Sequence, residues 1–330
     1  MPWARAPSWD MPDVGVGLWT MRSTAARPIH AAAAYSELAR DALHAEALGF
    51  HSLWLAEHHF WYDGWCPAPV AAAAAVLSPT STLKAGTGVH LLPLWDPSTA
   101  AAAAETLVAL AGERLYLGVG LGYRDEEFDG FGLSRRTRGR RMDAALDEIA
   151  VRWNQEGRGP RVLVGGFSAA AMTRAGTRGL GIFLPFSLTR VKLATTIGRY
   201  REAAHEAGQT PGMVGMLKYA WVTDGSSRQR EAAERLIAAS ALEYSGCWFE
   251  LNGRSGFAEP ELLARQLSLA TANALIGTPG DIAEEIAQLD DAGVDLVVLQ
   301  VTRDDVSADH LHTMEAIAGA LFPSPPALST

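Results

Sequence analysis

Glu57, His58 and His59 stand in a row directly after the apolar run Ser52 to Ala56, and Phe60, Trp61 and Trp65 follow closely. Histidine changes charge near neutral pH and moves protons, and a neighbouring carboxylate can set its tautomer or accept an N–H from a cofactor ring. A histidine satisfied inside a core is the competing reading. For a Glu-His-His run at a strand end, proton transfer is the reading we carry forward.

A second cluster is Gly165-Gly166-Phe167-Ser168, between an apolar run and a helical pattern. Three readings stay open for it. Backbone N–H groups at a helix N-terminus make an anion site. The plainer alternative is that Ser168 only caps the helix. It could also be a nucleophile at a strand-to-helix elbow, although Ala170 stands where that motif has glycine. Gly118-Val119-Gly120-Leu121-Gly122 resembles a dinucleotide fingerprint, but the third glycine comes one residue early and Tyr123 takes its place, so close backbone packing is favoured. His58-His59 lacks the ligand spacing of a zinc site. With only Cys66 and Cys247, neither a disulfide framework nor a metal site is expected.

Elements to position these residues alternate along the chain. Strand candidates are Val14 to Trp19, Ser52 to Ala56, Leu83 to Leu92, Leu115 to Gly120, Arg161 to Val164, Gly181 to Phe186, Val214 to Val222 and Leu296 to Val301. Helical patterns lie between them, such as Met142, Leu146, Ile149 and Trp153 on one 3.6-residue face, or Ala33 to Leu48 stopped by Gly49. Thr278-Pro279-Gly280-Asp281 reads as a capping box. Eight strands alternating with helices predict a parallel sheet closed as a (β/α)8 TIM barrel, with an open doubly wound sheet as the alternative. The stretch 224–278, between strands seven and eight, exceeds what one crossover needs. It reads as an insertion with a helix over Arg228 to Tyr244 and an irregular Ser245 to Pro260, a lid or a flexible loop. The whole of 1–330 is expected to form one barrel domain.

Composition fits that expectation. Of 330 residues 48 % are hydrophobic and 20 % charged, enough for a large core. The 28 basic and 37 acidic residues leave a formal charge of −9, which repels a phosphate backbone and argues against a nucleic-acid partner. No signal peptide and no run of eighteen apolar residues is visible, so the expectation is a cytoplasmic protein with no membrane partner. In a barrel, chemistry sits where strands end at the C-terminal face. Those positions hold Trp19, His59, Trp61, Trp65, Trp95, Tyr123, Arg124 and Phe186 around Glu57 and His58, which predicts a wide pocket for a flat, partly apolar ligand.

The segment Ala47 to Phe60, with its Glu-His-His-Phe block, resembles the strand-two signature of the bacterial luciferase-like monooxygenases. Ala85-Gly86-Thr87-Gly88-Val89-His90-Leu91-Leu92-Pro93 with Asp96-Pro97 resembles the same family, as does Gly118 to Phe128 with Phe131-Gly132. Gly165-Gly166-Phe167-Ser168 and Ile276-Gly277-Thr278-Pro279 fall in the family's order. The resemblance implies a usually dimeric TIM barrel, here a homodimer. It implies that reduced FMN from a separate flavin reductase reacts with O2 to a C4a-hydroperoxyflavin. This hydroxylates, epoxidises or inserts oxygen into a small-molecule substrate. It further implies His58 as the active-site histidine, a cis Gly88–Val89 peptide beneath the flavin ring, Gly165 to Ser168 as a phosphate loop, and a mobile loop after strand seven.

Two departures from the family pattern carry expectations of their own. Leu121 stands where many relatives place an arginine for the flavin phosphate, which leaves backbone N–H groups, Arg124 or another cation to hold it and implies a weakly held, diffusing cosubstrate. The short Asn154 to Pro160 replaces an inserted hairpin, which implies an open pocket for a bulky aromatic or polycyclic substrate of specialised, antibiotic-type metabolism. An F420-dependent oxidoreductase of the same superfamily is the runner-up. A serine hydrolase using Ser168 and a non-catalytic flavin-binding protein are the readings from other classes.

Overall fold

The computed structural model describes residues 11–23, 28–61, 64–156, 159–251, 260–301 and 310–322. Eight parallel strands close into a ring. They are β1 (Asp13–Trp19), β2 (Ser52–Leu55), β3 (Lys84–Thr87), β4 (Leu115–Val119), β5 (Arg161–Gly165), β6 (Gly181–Leu184), β7 (Val214–Val222) and, after a short outlying β8 (Leu275–Gly277), β9 (Leu296–Gln300). Each of β1 to β7 pairs with its successor, and β9 joins β7 back to β1. The barrel expected from the alternation of elements is therefore present.

Helices pack around the ring: α1 (Ala31–Leu48), α2 (Pro69–Leu77), α3 (Pro97–Ala111), α4 (Asp125–Gly130), α5 (Arg138–Glu156), α6 (Ala169–Gly176), α7 (Arg190–Glu206), α8 (Ser227–Leu251), α9 (Pro260–Ala272), α10 (Pro279–Asp291) and α11 (His310–Leu321). Their ends follow local chemistry. Gly49, at φ +91°, closes α1 in the left-handed region that glycine enters at little cost. Asp96 accepts the Thr99 N–H to start α3, and Thr278 with Asp281 forms the predicted capping box of α10. Met142, Leu146, Ile149 and Trp153 turn inward from α5, as their spacing predicts. Among the described residues no helix is long and apolar enough to cross a membrane.

Two expectations about the insertion need correction. Leu275–Gly277 forms a ninth strand, paired with the last three residues of β7 (Ala220–Val222) outside the ring, because the ring uses Gly215 to Tyr219 of β7 for β9. Three residues are too few to show a period. Helix α8 also runs on to Leu251, so Ser245 to Leu251 is helical and not irregular; residues 252–259, the rest of the expected lid, lie outside the described residues.

Inside the ring the space is filled by Trp54, whose indole stacks on Phe183 at 4.7 Å with planes 2° apart and donates to Ser52 Oγ at 2.9 Å. Room for so large a ring comes from missing side chains on neighbouring strands. A Cβ on Gly86 would lie 2.3 Å from the Trp54 ring, and one on Gly118 would lie 2.0 Å from the Thr87 carbonyl oxygen. The glycines of the Gly118-Val119-Gly120 run therefore serve packing, as the close-approach reading expects. We predict that Gly86→Ala costs about 2 kcal/mol of stability by overpacking. In denaturant unfolding, a Gly86→Ala, Trp54→Phe double variant should lose less than the two single losses added together.

Candidate active site

Past the end of β2, Glu57 and His58 take separate hydrogen-bond partners. Glu57 and His58 therefore diverge, and the structure does not couple them. Glu57 instead meets His59 (Nε2 to Oε1, 2.7 Å), Trp95 (Nε1 to Oε1, 2.9 Å), His90 (Nδ1 to Oε2, 2.6 Å) and the Leu91 N–H (2.9 Å to Oε2). Its side chain has no solvent exposure. Burial alone would raise its pKa, but the His90 charge and the donors His59, His90 and Trp95 outweigh it and hold the carboxyl at about 2.

The carboxylate that serves His58 is Glu127, in the first turn of α4. Its Oε1 lies 2.8 Å from His58 Nδ1, and it also accepts the His59 N–H at 3.0 Å. Nδ1 thus faces the carboxylate, and the Nε2 face is turned to Tyr123 Oη at 3.3 Å. Trp65 packs edge-on to the imidazole at 4.6 Å, and Trp61 lies 5.2 Å from it. Glu127 was not singled out from the sequence. In the run Asp125-Glu126-Glu127 it looks like any acidic residue favoured near a helix N-terminus, and its partner lies 69 residues away.

A cavity of about 550 Å³ opens over the C-terminal end of the ring. His58, Trp65, Gly88, Val89, Leu121, Tyr123, Gly165, Gly166, Phe167, Ser168 and Phe186 line it, together with Glu57, so most of the predicted site residues share one wall system. The Gly88–Val89 peptide is cis, as the resemblance implied. Five predicted residues are not in the wall. Trp19 faces the outer layer and donates to Asp41 on α1 at 2.8 Å, because an irregularity in β1 shifts the register between Val16 and Trp19. His59 and Trp95 are turned to Glu57. Trp61 lies against the Arg124 guanidinium at 4.3 Å, and Arg124 itself is fully buried, donating to the His59 carbonyl at 2.7 Å. Arg124 is thus not placed to meet a phosphate in the cavity. The charged side chain that sequence reading missed in the wall is Arg22, buried just after β1 and 5.2 Å from the Trp65 ring centroid.

Across the ring from His58, the end of β5 turns into α6 at Gly166 (φ +119°), and Ser168 caps the helix by accepting the Ala171 N–H at 3.2 Å. The first amides of α6 have no backbone acceptor within the helix, and Ser168 and Ala171 of this turn line the cavity. Among the described residues no imidazole or carboxylate hydrogen-bonds Ser168, so the cap and anion-site readings fit its surroundings and the nucleophile reading has no base there.

Comparison with known proteins comes to the same architecture. The luciferase-like monooxygenase family matches residues 15–296. The alkanal monooxygenase alpha chain of the Kryptophanaron alfredi symbiont is 28 % identical over 187 residues, 50 % of this chain and 52 % of that one; the match spans about half that relative's length. Among solved structures, the oxygenating constituent of 3,6-diketocamphane monooxygenase from Pseudomonas putida, a type II Baeyer–Villiger monooxygenase in complex with FMN, superposes with a TM-score of 0.75. It is 20 % identical, over 95 % of this chain and 98 % of that one. An F420-dependent secondary alcohol dehydrogenase with an F420–acetone adduct superposes at 0.70, at 17 % identity over 94 % and 99 %. At such identities the structures speak for the fold.

Because the folded-state pKa of Glu57 is depressed, its ionisation stabilises the protein above the ordinary carboxylate range. That stability is lost as pH falls from about 4.5 toward 2, where the unfolded chain takes up a proton that the folded chain does not. The shift corresponds to on the order of 3 kcal/mol. Stability measured by urea unfolding across that range should fall with acid, and Glu57→Gln should flatten this part of the slope.

Proposed function

The chain belongs to the luciferase-like monooxygenase family, and from that premise we propose that it is a two-component monooxygenase. In this reading reduced FMN comes from a separate flavin reductase, and one oxygen atom of O2 goes to an aromatic or polycyclic compound. The supporting observation is the pairing of His58 with Glu127 in the wall of a largely apolar cavity whose far wall is an anion-ready helix N-terminus.

The residues fit the cofactor. The cavity volume lies in the range that holds small-molecule ligands. The glycines at its floor leave room only for what is already there: a Cβ on Gly120 would fall 2.2 Å from the Val89 side chain and one on Gly165 2.8 Å from it. Val89 would thus present a fixed apolar surface to a flat ring, and the amides near Ser168 would take the phosphate. With backbone amides as the main hold, that grip is modest, in keeping with a cosubstrate that comes and goes. When bound, reduced FMN supplies the electrons that activate O2.

The chain's own residues supply the surroundings. Leu18, Val89, Leu91, Phe183 and Leu217 exclude water from the reacting region. His58 accepts or returns one proton at Nε2 while Glu127 holds Nδ1 and the ring orientation, and Trp61 and Trp65 prevent the imidazole from turning. Glu57 acts one step removed, fixing the backbone through Leu91 and the ends of β2 and β3. A homodimer, a cytoplasmic location and a place in specialised metabolism belong to the same proposal, on the family's account.

An anaerobic titration with reduced FMN and an O2-consumption assay with an added NADH-driven flavin reductase test the reading. Wild type should bind reduced FMN. His58→Ala should keep that binding while product formation falls by about 10² or more and hydrogen peroxide accumulates. Tight binding of reduced F420 with hydride transfer and no O2 uptake would replace this reading with an F420-dependent oxidoreductase. Unchanged turnover in His58→Ala would remove the histidine from the chemistry.

A further inference from the structure

Strand β7 faces two cavities. Leu217 and Tyr219 line the central one, and Lys218, between them, points outward into a second cavity of about 590 Å³ between α7, α10 and the start of β8. Lys218 is only 6 % exposed. Its ammonium makes one hydrogen bond, to the Asn273 carbonyl oxygen at 3.2 Å, and no carboxylate stands within ion-pair distance of it among the described residues. An ammonium can donate three hydrogen bonds, so this buried group is under-partnered and its charged form is costlier than an ordinary lysine's.

The charged groups facing it come from three helices. Arg190 on α7 is held by Glu285 of α10 at 2.6 Å, Arg230 on α8 donates to the Ile276 carbonyl, and Asp281 is occupied by the Thr278 cap. Glu284 of α10 lies at the exposed rim. Burial is the main cause lowering the Lys218 pKa to about 8, with Glu285 opposing and Arg190 reinforcing. The chain has three lysines, Lys84, Lys192 and Lys218, among its 28 basic residues. An arginine here would be a permanent cation, whereas lysine can lose its proton and become a nucleophile.

We propose that this outer cavity is a second ligand site, at which a small aldehyde condenses reversibly with the Lys218 amine to form an imine. The nitrogen lone pair forms the C–N bond as the carbonyl π bond opens, and the oxygen takes up a proton. The nitrogen loses its protons as the oxygen departs as water, so no oxidant or reductant enters. Leu193, Ile282 and Leu289 supply apolar walls for the aldehyde's carbon skeleton. The site lies outside the barrel, so it stands or falls independently of the flavin reading.

The test uses the intact wild-type protein with pyridoxal 5′-phosphate as the aldehyde, cyanoborohydride to trap imines, and peptide mass mapping. At pH 8 the neutral fraction of such an amine exceeds that of an ordinary lysine roughly a hundredfold. Lys218 should therefore label at least tenfold faster than the exposed Lys192, with a rate that saturates as aldehyde rises. Equal or faster labelling of Lys192 would overturn the proposal. So would a rate for Lys218 that stays linear in aldehyde, since that describes a merely reactive amine and not a binding site. Lys218→Arg, checked for native circular dichroism, should lose only the saturable label.

Discussion

A carboxylate removed from water must be given hydrogen-bond donors, and the cavity end of this barrel is organised by two, Glu57 served on both oxygens and Glu127 on Oε1. Glu57 gathers His59, His90, Trp95 and the Leu91 N–H; Glu127 gathers His58 and the His59 N–H. Removing one partner from such an arrangement typically costs about 3–5 kcal/mol, whereas the whole set need contribute little net stability. Its value is positional. Strand ends that would otherwise be free to diverge are tied together, and one imidazole is held with a chosen nitrogen toward a cavity.

The aromatic residues divide into two crews. Trp54 and Phe183 fill the ring below the cavity and give it an apolar floor. Trp61, Trp65 and Tyr123 surround His58. Trp61 also covers the Arg124 guanidinium, whose charge lies beside Glu127 at 3.4 Å. What looks from the sequence like a ring of indoles open to a ligand is in large part a casing for buried charge. Of the indoles predicted there, Trp65 is the one that reaches the cavity, beside Tyr123, Phe167 and Phe186.

The fold was legible because apolar runs of strand length alternate with 3.6-residue patterns, and that pattern depends on neighbours in the chain. β8 was not, since Leu275-Ile276-Gly277 is too short to display a period. The extension of α8 to Leu251 was hidden by Ser245 and Gly246, which read as helix breakers. The site was legible as far as residue types at strand ends allow: His58, Tyr123, and Gly165 to Ser168 all line one cavity. Which carboxylate serves which histidine was not, because the partners come from distant elements: Glu57 meets His90 and Trp95, and Glu127 of α4 meets His58. Trp19 was misplaced for a related reason, a local irregularity that no residue spacing announces.

β7 is nine residues long where β2, β3 and β6 have four each. Its first half completes the ring with β9, and its last three residues carry β8 on the outside. The described elements α8, α9 and β8 are thus an annex bolted to a finished cylinder. Evolution, or an engineer, can lengthen, trim or exchange that annex without reopening the staves. Because Ser240 of α8 borders the central cavity, each such exchange would remodel what the cavity admits while leaving the machinery beneath it in place.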